Sequence, residues 1–200
     1  MTGVQTCALP ILAPSAAEID WPGRGTAIRA GVLLQGDPAG APERAERMRE
    51  LLGGTPGAGG AAVGTEPPAW WGLGAAAAGD GTLVRIAFWA AELPSVLAAL
   101  RAAADDAGLD PAVSGSAAAG VLHAAVPPGA APGPVAEFLA ALRAALRPGR
   151  ASAVVLRAPA PVREAVDLWG PVPSLSLMRA VKDQFDPGHR MAPGRFAGGI

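Results

Sequence analysis

The chain has very little cysteine, tyrosine and charge. Among its 200 residues there is one cysteine, Cys7, and no tyrosine. A single cysteine excludes a disulfide framework and a multi-cysteine metal centre, and the absence of tyrosine removes one common general acid or base. Charged residues make up 16% of the chain and the net charge is −1, so there is no basic footprint for nucleic acid. These low counts exclude disulfide-rich proteins, multi-cysteine metal proteins and proteins that bind nucleic acid through a basic surface.

No stretch of the sequence has the length and apolarity of a membrane span. The longest uncharged run, Pro111 to Ala136, holds too many glycines and prolines and too few large apolar residues to cross a bilayer. The location we expect is cytoplasmic, or peripheral to the inner membrane where partners in a complex hold the chain there.

Glycine, proline and alanine dominate the composition. There are 27 glycines and 21 prolines, and the hydrophobic half of the chain contains 47 alanines. Leucine, isoleucine, valine and phenylalanine account for only 44 residues, slightly more than disordered chains carry. The sequence predicts a folded chain with a thin core.

The first twelve residues differ from the rest. They lack the basic start and the long apolar run of a signal peptide, and GVQTCALPI looks like a translated sequencing adapter. We therefore leave residues 1–12 out of the fold prediction, and we expect the natural chain to continue upstream of Leu12.

The next part of the chain predicts a strand, a helix and a weak strand. Thr26 to Gln35 is an apolar run between turn residues, which is typical of a buried strand. Pro42 to Leu52 has apolar residues at helical spacing, proline in its first turn and glycines at its end. A short strand is predicted around Ala61 to Gly64.

A second unit follows with a clearer pattern. Some of its segments have apolar residues at every second position, and others have apolar residues at helical spacing. This pattern predicts a β-α-β-β-α-β order, the split βαβ arrangement. The fold class expected is therefore α+β, ferredoxin-like, with an antiparallel or mixed sheet, helices on one face and an irregular C-terminal tail. The predicted elements are strand Thr82 to Trp89, helix Pro94 to Ala107, strands Pro111 to Val113 and Val121 to Val126, helix Gly133 to Arg147 and strand Ser152 to Leu156.

After residue 157 the pattern changes, and we divide the chain into a domain of residues 13–157 and a C-terminal segment of residues 158–200. Pro159 to Leu168 and Leu175 to Phe185 are predicted helices, the second with Ser174 as its N-cap. The last 15 residues have no periodicity, and such a tail usually lies across another surface.

Few side chains suggest chemistry on their own. His123 lies among apolar neighbours of a strand, where a structural histidine is favoured over a ligand, and His189 lies in the tail, where an anion contact is equally open. Metal-ligand spacing is absent, so no metal site is predicted. Arg85 is either a solvated strand residue or a bidentate partner for a substrate carboxylate. Four tryptophans are expected to anchor packing rather than to bind ligands: Trp70, Trp71, Trp89 and Trp169.

The C-terminal sequence resembles that of FAD-linked oxidases of the vanillyl-alcohol oxidase type, nearest to the FAD-binding E subunit of glycolate oxidase. The family's chain ends with a helix, a K-x-x-F-D-P run, a short turn and N-P-G-(R/K). Strong resemblance covers residues 154–200, and the element order agrees from about residue 20. The matching residues, in order and spacing, are Lys182, Phe185, Asp186, Pro187, Pro193, Gly194 and Arg195.

The resemblance implies a function for the intact parent protein. This chain would be the α+β cap, or substrate-binding, domain of an FAD-dependent 2-hydroxy-acid oxidoreductase of the glycolate or D-lactate kind. The FAD-binding domain, with its glycine-rich pyrophosphate loop, would lie upstream, and other oxidase subunits are further expected partners. The tail would contact FAD. Arg85, chosen for the chemistry of its guanidinium and not from the resemblance, is the expected substrate-binding residue. The expected cofactor-contacting residues are His189, Arg190, Pro193, Gly194 and Arg195.

Two departures from the family pattern limit this transfer. The asparagine of N-P-G is Ala192 here. In the lactate-dehydrogenase branch a histidine pair binds metal, but Ser116 occupies the first position and only His123 remains. An alternative hypothesis is a stand-alone ferredoxin-like module that binds a partner or a small ligand without redox activity.

Overall fold

The computed structural model describes residues 12–54, 59–73, 79–147 and 149–200. Residues 1–11, most of the segment left out of the fold prediction, lie outside the described residues. The strands are β1 (Ala16–Trp21), β2 (Arg29–Leu33), β3 (Thr82–Phe88), β4 (Ala112–Ser116), β5 (Val121–Val126) and β6 (Ala151–Arg157). The helices are α1 (Ala41–Gly53), α2 (Leu93–Asp106), α3 (Pro132–Ala145), α4 (Ala160–Ala165) and α5 (Leu175–Phe185).

The strands form one antiparallel sheet in the order β2-β1-β4-β5-β3-β6. The last four strands of this order, with α2 and α3, are the predicted β-α-β-β-α-β unit, and the predicted ferredoxin-like α+β class is confirmed. β5 is inserted between β3 and β4, so the crossover through α2 spans one intervening strand.

The first unit differs from its prediction. β1 was missed, although Ile19 and Trp21 alternate with Glu18 and Asp20 at the two-residue period of a strand. The strand predicted at residues 26–35 exists as β2, but it lies at the sheet edge and none of its residues is buried. The weak strand predicted at residues 61–64 is absent. Among the described residues no strand pairs with the outer edge of β2, which leaves that edge exposed.

One face of the sheet packs against α2 and α3. Both helices direct an apolar stripe onto the sheet, as with Leu100 of α2 and Phe138 of α3, which are fully buried. Val162 of α4 joins the same core. The thin core predicted from composition is filled by small residues as well as large ones, including Ala103, Ala124 and Ala153.

Of the four tryptophans predicted to anchor packing, Trp70, Trp71 and Trp169 are half-buried, whereas Trp89 does not anchor packing. Trp89 is 60% exposed and lies under the guanidinium of Arg150, 4.8 Å from its ring centroid. The buried tryptophan is Trp21, at the end of the unpredicted strand β1. The prediction failed because tryptophan's large area favours burial only where the fold supplies a cavity of matching size.

Arg143 connects the C-terminal segment to the sheet. From α3 it donates to three backbone carbonyls, those of Ala153 (3.1 Å), Asp167 (2.7 Å) and Leu168 (3.2 Å). The Leu168 carbonyl also accepts from the Val155 N–H at 2.8 Å. The segment after α4 is therefore fixed to the edge strand β6. No helix in the described ranges is long and apolar enough to cross a membrane.

Candidate functional site

The face of the sheet turned away from α2 and α3 carries a row of polar residues. Strand register places Arg29, Asp20, Ser114, His123 and Arg85 opposite one another on five successive strands. Directly paired residues in an antiparallel sheet point to the same face, with their Cβ atoms about 4.5–5.5 Å apart. Five side chains from distant parts of the sequence thus meet in one line. We call this row the polar row.

One end of the polar row is closed by ion pairing and by aromatic rings. Arg29 donates to Asp20, with an Nε–Oδ2 distance of 2.9 Å, and its guanidinium lies 5.7 Å from the Trp70 ring centroid. A Cβ on Gly31 would lie 2.7 Å from the Trp71 ring, so only glycine lets the two tryptophans approach β2 this closely. Trp70 and Trp71 therefore form a wall beside the sheet face.

The same wall is held from β1. The Gly72 N–H donates to Oε2 of Glu18 at 2.9 Å. Because Glu18 and Asp20 both have partners at this end, the charges here are largely satisfied within the chain.

The other end of the polar row is different. Arg85 is exposed and His123 is half-buried, and within the described part of the chain neither side chain has a hydrogen bond or ion pair. Burial, and then the nearby positive charge of Arg85, lower the pKa of His123 below its ordinary value. At neutral pH the pair therefore combines one guanidinium with a neutral imidazole.

We expect Arg85→Gln to raise the pKa of His123 toward its ordinary value, because one of the two causes that lower it is removed. Burial remains, so the recovery should be partial. The pKa is read from the imidazole proton shifts during an NMR pH titration. Arg47→Gln, an exposed change on α1, is the control and should leave the titration unchanged; an equal shift in both variants would contradict the assignment.

A second cluster holds the C-terminal tail. Asp186 is 7% exposed; it pairs with Lys182 at 2.6 Å and accepts from the N–H groups of Arg190 and Met191, each at 2.9 Å. Lys182 also donates to the Met191 carbonyl at 2.5 Å. Two residues of the K-x-x-F-D-P run therefore fold the tail back onto α5.

The residues expected to contact FAD are spread over this tail. Arg195 lines an open cavity of about 560 Å³ together with Trp169, Met191, Phe196 and Ile200. Gly194 has φ +76° and its N–H donates to the Gly199 carbonyl, so its role in the turn is conformational.

The remaining tail residues lie outside that cavity lining. His189 lies 3.4 Å from the carboxylate of Asp183, Arg190 contributes its backbone N–H to Asp186, and Pro193 is exposed. Arg85 lies on the sheet face; none of the cavity-lining residues belongs to the polar row.

The tail should loosen in acid. Its hydrogen bonds with Lys182, Met191 and Arg190 lower the pKa of Asp186 from 3.8 to about 2. Because the folded-state pKa is the lower one, the stabilisation is complete above pH ~4 and is lost as the pH falls toward ~2. The amide NMR signals of Arg190 and Met191 should move in that window in the wild type and be displaced already at neutral pH in Asp186→Asn; pH-independent signals in the wild type would refute this.

The described residues contain no cluster of three or more metal-ligating side chains, and Ser116, which stands at the family's first histidine position, is half-buried beside the Ala17 carbonyl. Sequence reasoning identified Arg85 and His123 separately but missed their pairing. Only the register of β3 against β5 reveals it.

Comparison with known proteins adds no further assignment: no family model, no curated protein and no solved structure matches this chain.

Proposed function

We propose that this chain is the C-terminal cap part of an FAD-dependent 2-hydroxy-acid oxidoreductase. The observation that carries the proposal is the run from Lys182 to Arg195, which resembles the end of that family and forms one built unit around Asp186. A buried carboxylate with three donors is a specific arrangement, and it explains why lysine and aspartate occur together at this spacing.

The exposed apolar surface next to this unit supports the proposal that a partner domain packs here. Leu177, Val181 and Phe185 lie four residues apart along one side of α5, and each is at least 50% exposed, with Phe185 at 79%. Met191 of the tail is 68% exposed as well. An apolar helix face of this kind normally packs against protein, and the occupant we propose is the FAD-binding domain.

The chain's own residues fit a supporting role toward FAD. The tail offers an apolar cavity lined by Trp169 and Phe196 together with the cation Arg195, and such a surface can cover a planar ring. Lys182 also lines it, but its charge is paired with Asp186. The glycine-rich pyrophosphate loop must come from the partner domain. Bound FAD would supply the hydride acceptor, while this chain covers the substrate side, excludes water and orients the carboxylate through Arg85.

The test is to express this chain joined to the reading frame upstream of it in the natural gene and, in parallel, alone. The joined protein is expected to be yellow, with the visible absorbance band of an oxidised flavin, and to reduce a dye with glycolate or D-lactate as electron donor. The chain alone should bind no flavin. Stoichiometric flavin on the chain alone, or a joined protein without flavin, would overturn the proposal.

A colourless joined protein would favour the stand-alone ferredoxin-like module. A matched variant, Phe185→Ser, separates the interface from the fold. Because Phe185 is 79% exposed, its replacement should leave the isolated chain's unfolding unchanged and weaken association with a separately expressed flavin domain. Unchanged association would exclude this helix face from the interface.

A further inference from the structure

Arg85 and His123 form the unsatisfied end of the polar row. At the other end Asp20 holds Arg29 and Glu18 holds the Gly72 N–H, so those carboxylates already have partners. Arg85 has five N–H donors and His123 two ring nitrogens, and in the part of the chain that the structure describes their side chains donate to nothing. Two neighbouring polar groups left open on a sheet face are available to a ligand.

The charges decide which ligand fits. The charged side chains of the polar row are Arg29, Asp20 and Arg85, with His123 as its other titratable group. Arg157 of β6 is paired with Leu83, beyond a register shift, so it lies on the same face as Arg85 and farther along it. Within the polar row, Asp20 is paired with Arg29, and the cation without a partner among the described residues is Arg85. Its planar fork of donors matches the two oxygens of a carboxylate.

The spacing decides which carboxylate fits. Directly paired residues place their Cβ atoms about 4.5–5.5 Å apart, so a guanidinium and an imidazole can both reach one small molecule. The carboxylate and the hydroxyl of a 2-hydroxy acid are both attached to the α-carbon, which places an acceptor and a donor side by side. The neutral imidazole has one nitrogen that accepts a hydrogen bond.

We infer that Arg85 and His123 together recognise a small 2-hydroxy acid: Arg85 binds its carboxylate, and His123 accepts a hydrogen bond from its α-hydroxyl. This inference rests on the proposed function for the substrate class and adds the residue that selects a hydroxy acid over a plain carboxylate. Val154, paired with Arg85 from β6, provides an apolar neighbour for a small substituent.

The experiment is an NMR titration of the 200-residue chain at slightly alkaline pH and constant ionic strength. The probes are glycolate, acetate, methoxyacetate and inorganic phosphate, and the signals followed are those of the Arg85 guanidinium and the His123 ring. Glycolate should bind about threefold to tenfold more tightly than acetate, the value of one neutral hydrogen bond. Methoxyacetate, which lacks the hydroxyl proton, should bind no better than acetate.

Two variants separate the roles. Arg85→Gln should weaken the binding of glycolate and of acetate alike, by about tenfold or more, because a charged hydrogen-bonded contact is lost. His123→Phe should abolish the preference for glycolate and leave acetate binding unchanged. Arg47→Gln, on exposed α1, is the charge-matched control and should change neither affinity.

The titrations of this chain test the site without any bound flavin. Equal binding of glycolate, methoxyacetate and acetate to the wild-type chain would overturn the role of His123 even if a variant failed to fold. Tighter binding of phosphate, or the absence of any shift at Arg85, would overturn the carboxylate site. If this chain binds glycolate selectively but the joined protein contains no flavin, the proposed oxidoreductase is refuted while the carboxylate site still stands.

Discussion

Gly120→Ala is expected to cost about 3 kcal/mol or more of folding free energy, among the largest effects of any single substitution in the sheet. Gly120 has φ +67°, and a Cβ there would lie 1.9 Å from the Phe88 carbonyl oxygen. Its own carbonyl accepts from the Phe88 N–H at 2.8 Å. The turn between β4 and β5 is therefore pressed onto the end of β3, with no room for a side chain.

The measurement is urea unfolding followed by circular dichroism. Gly129→Ala is the matched control, since Gly129 also has positive φ (+85°) but no atom within 4 Å of the place where a Cβ would lie. Its free energy of unfolding should fall only by the cost of placing alanine at a positive φ, on the order of 1–2 kcal/mol. Equal losses in the two variants would show that the contact with Phe88 does not decide the stability.

The substitution also bears on the candidate site. Gly120 lies in the turn between β4 and β5, and its hydrogen bond with Phe88 continues the pairing of β5 with β3, whose register places His123 opposite Arg85. Under conditions where Gly120→Ala remains folded, its preference for glycolate over acetate should fall. If the variant is destabilised but keeps its full preference for glycolate, the end of the hairpin does not influence the site.

Arg143→Met should release the segment after α4 from the sheet and cost about 2–3 kcal/mol, because three carbonyls lose a charged donor while the side-chain volume is roughly kept. The guanidinium is half-buried, which moderates the loss. Burial also lowers the pKa of Arg143, and the nearby negative charge of Asp167 partly opposes this.

The specific readout is hydrogen exchange at the Val155 amide, which donates to the Leu168 carbonyl. In Arg143→Met that amide should exchange faster, while the amides in the centre of β3 stay protected. Arg163→Met, an exposed change on α4, is the control. Unchanged protection at Val155 would mean that packing of Val162, rather than Arg143, fixes the segment.

The chain's periodic parts were predictable because their apolar spacing reports directly on burial. The helices around Leu100 and Phe138 and the strand from Val121 to Val126 lie where the pattern placed them. β1 was missed because its first half, Ala16 to Glu18, is only weakly apolar, and Trp89 was misassigned because composition does not indicate which cavities exist.

The candidate site was predictable only in fragments. Arg85 was singled out as a strand residue that suits a carboxylate, and His123 was favoured as a structural histidine. The two residues lie far apart in the sequence, and no local pattern reports which strands become neighbours. The unpaired state of both side chains also depends on what the fold brings near them.

The sequence by itself determined the ferredoxin-like order of elements and the Lys182–Asp186 spacing of the tail, since both are local patterns along the chain. Only the tertiary structure decided that the polar row exists, that Asp20 satisfies Arg29, and that Arg85 and His123 are left facing each other. The physical reason is strand register: pairing shifted by one residue would turn these side chains to the opposite face.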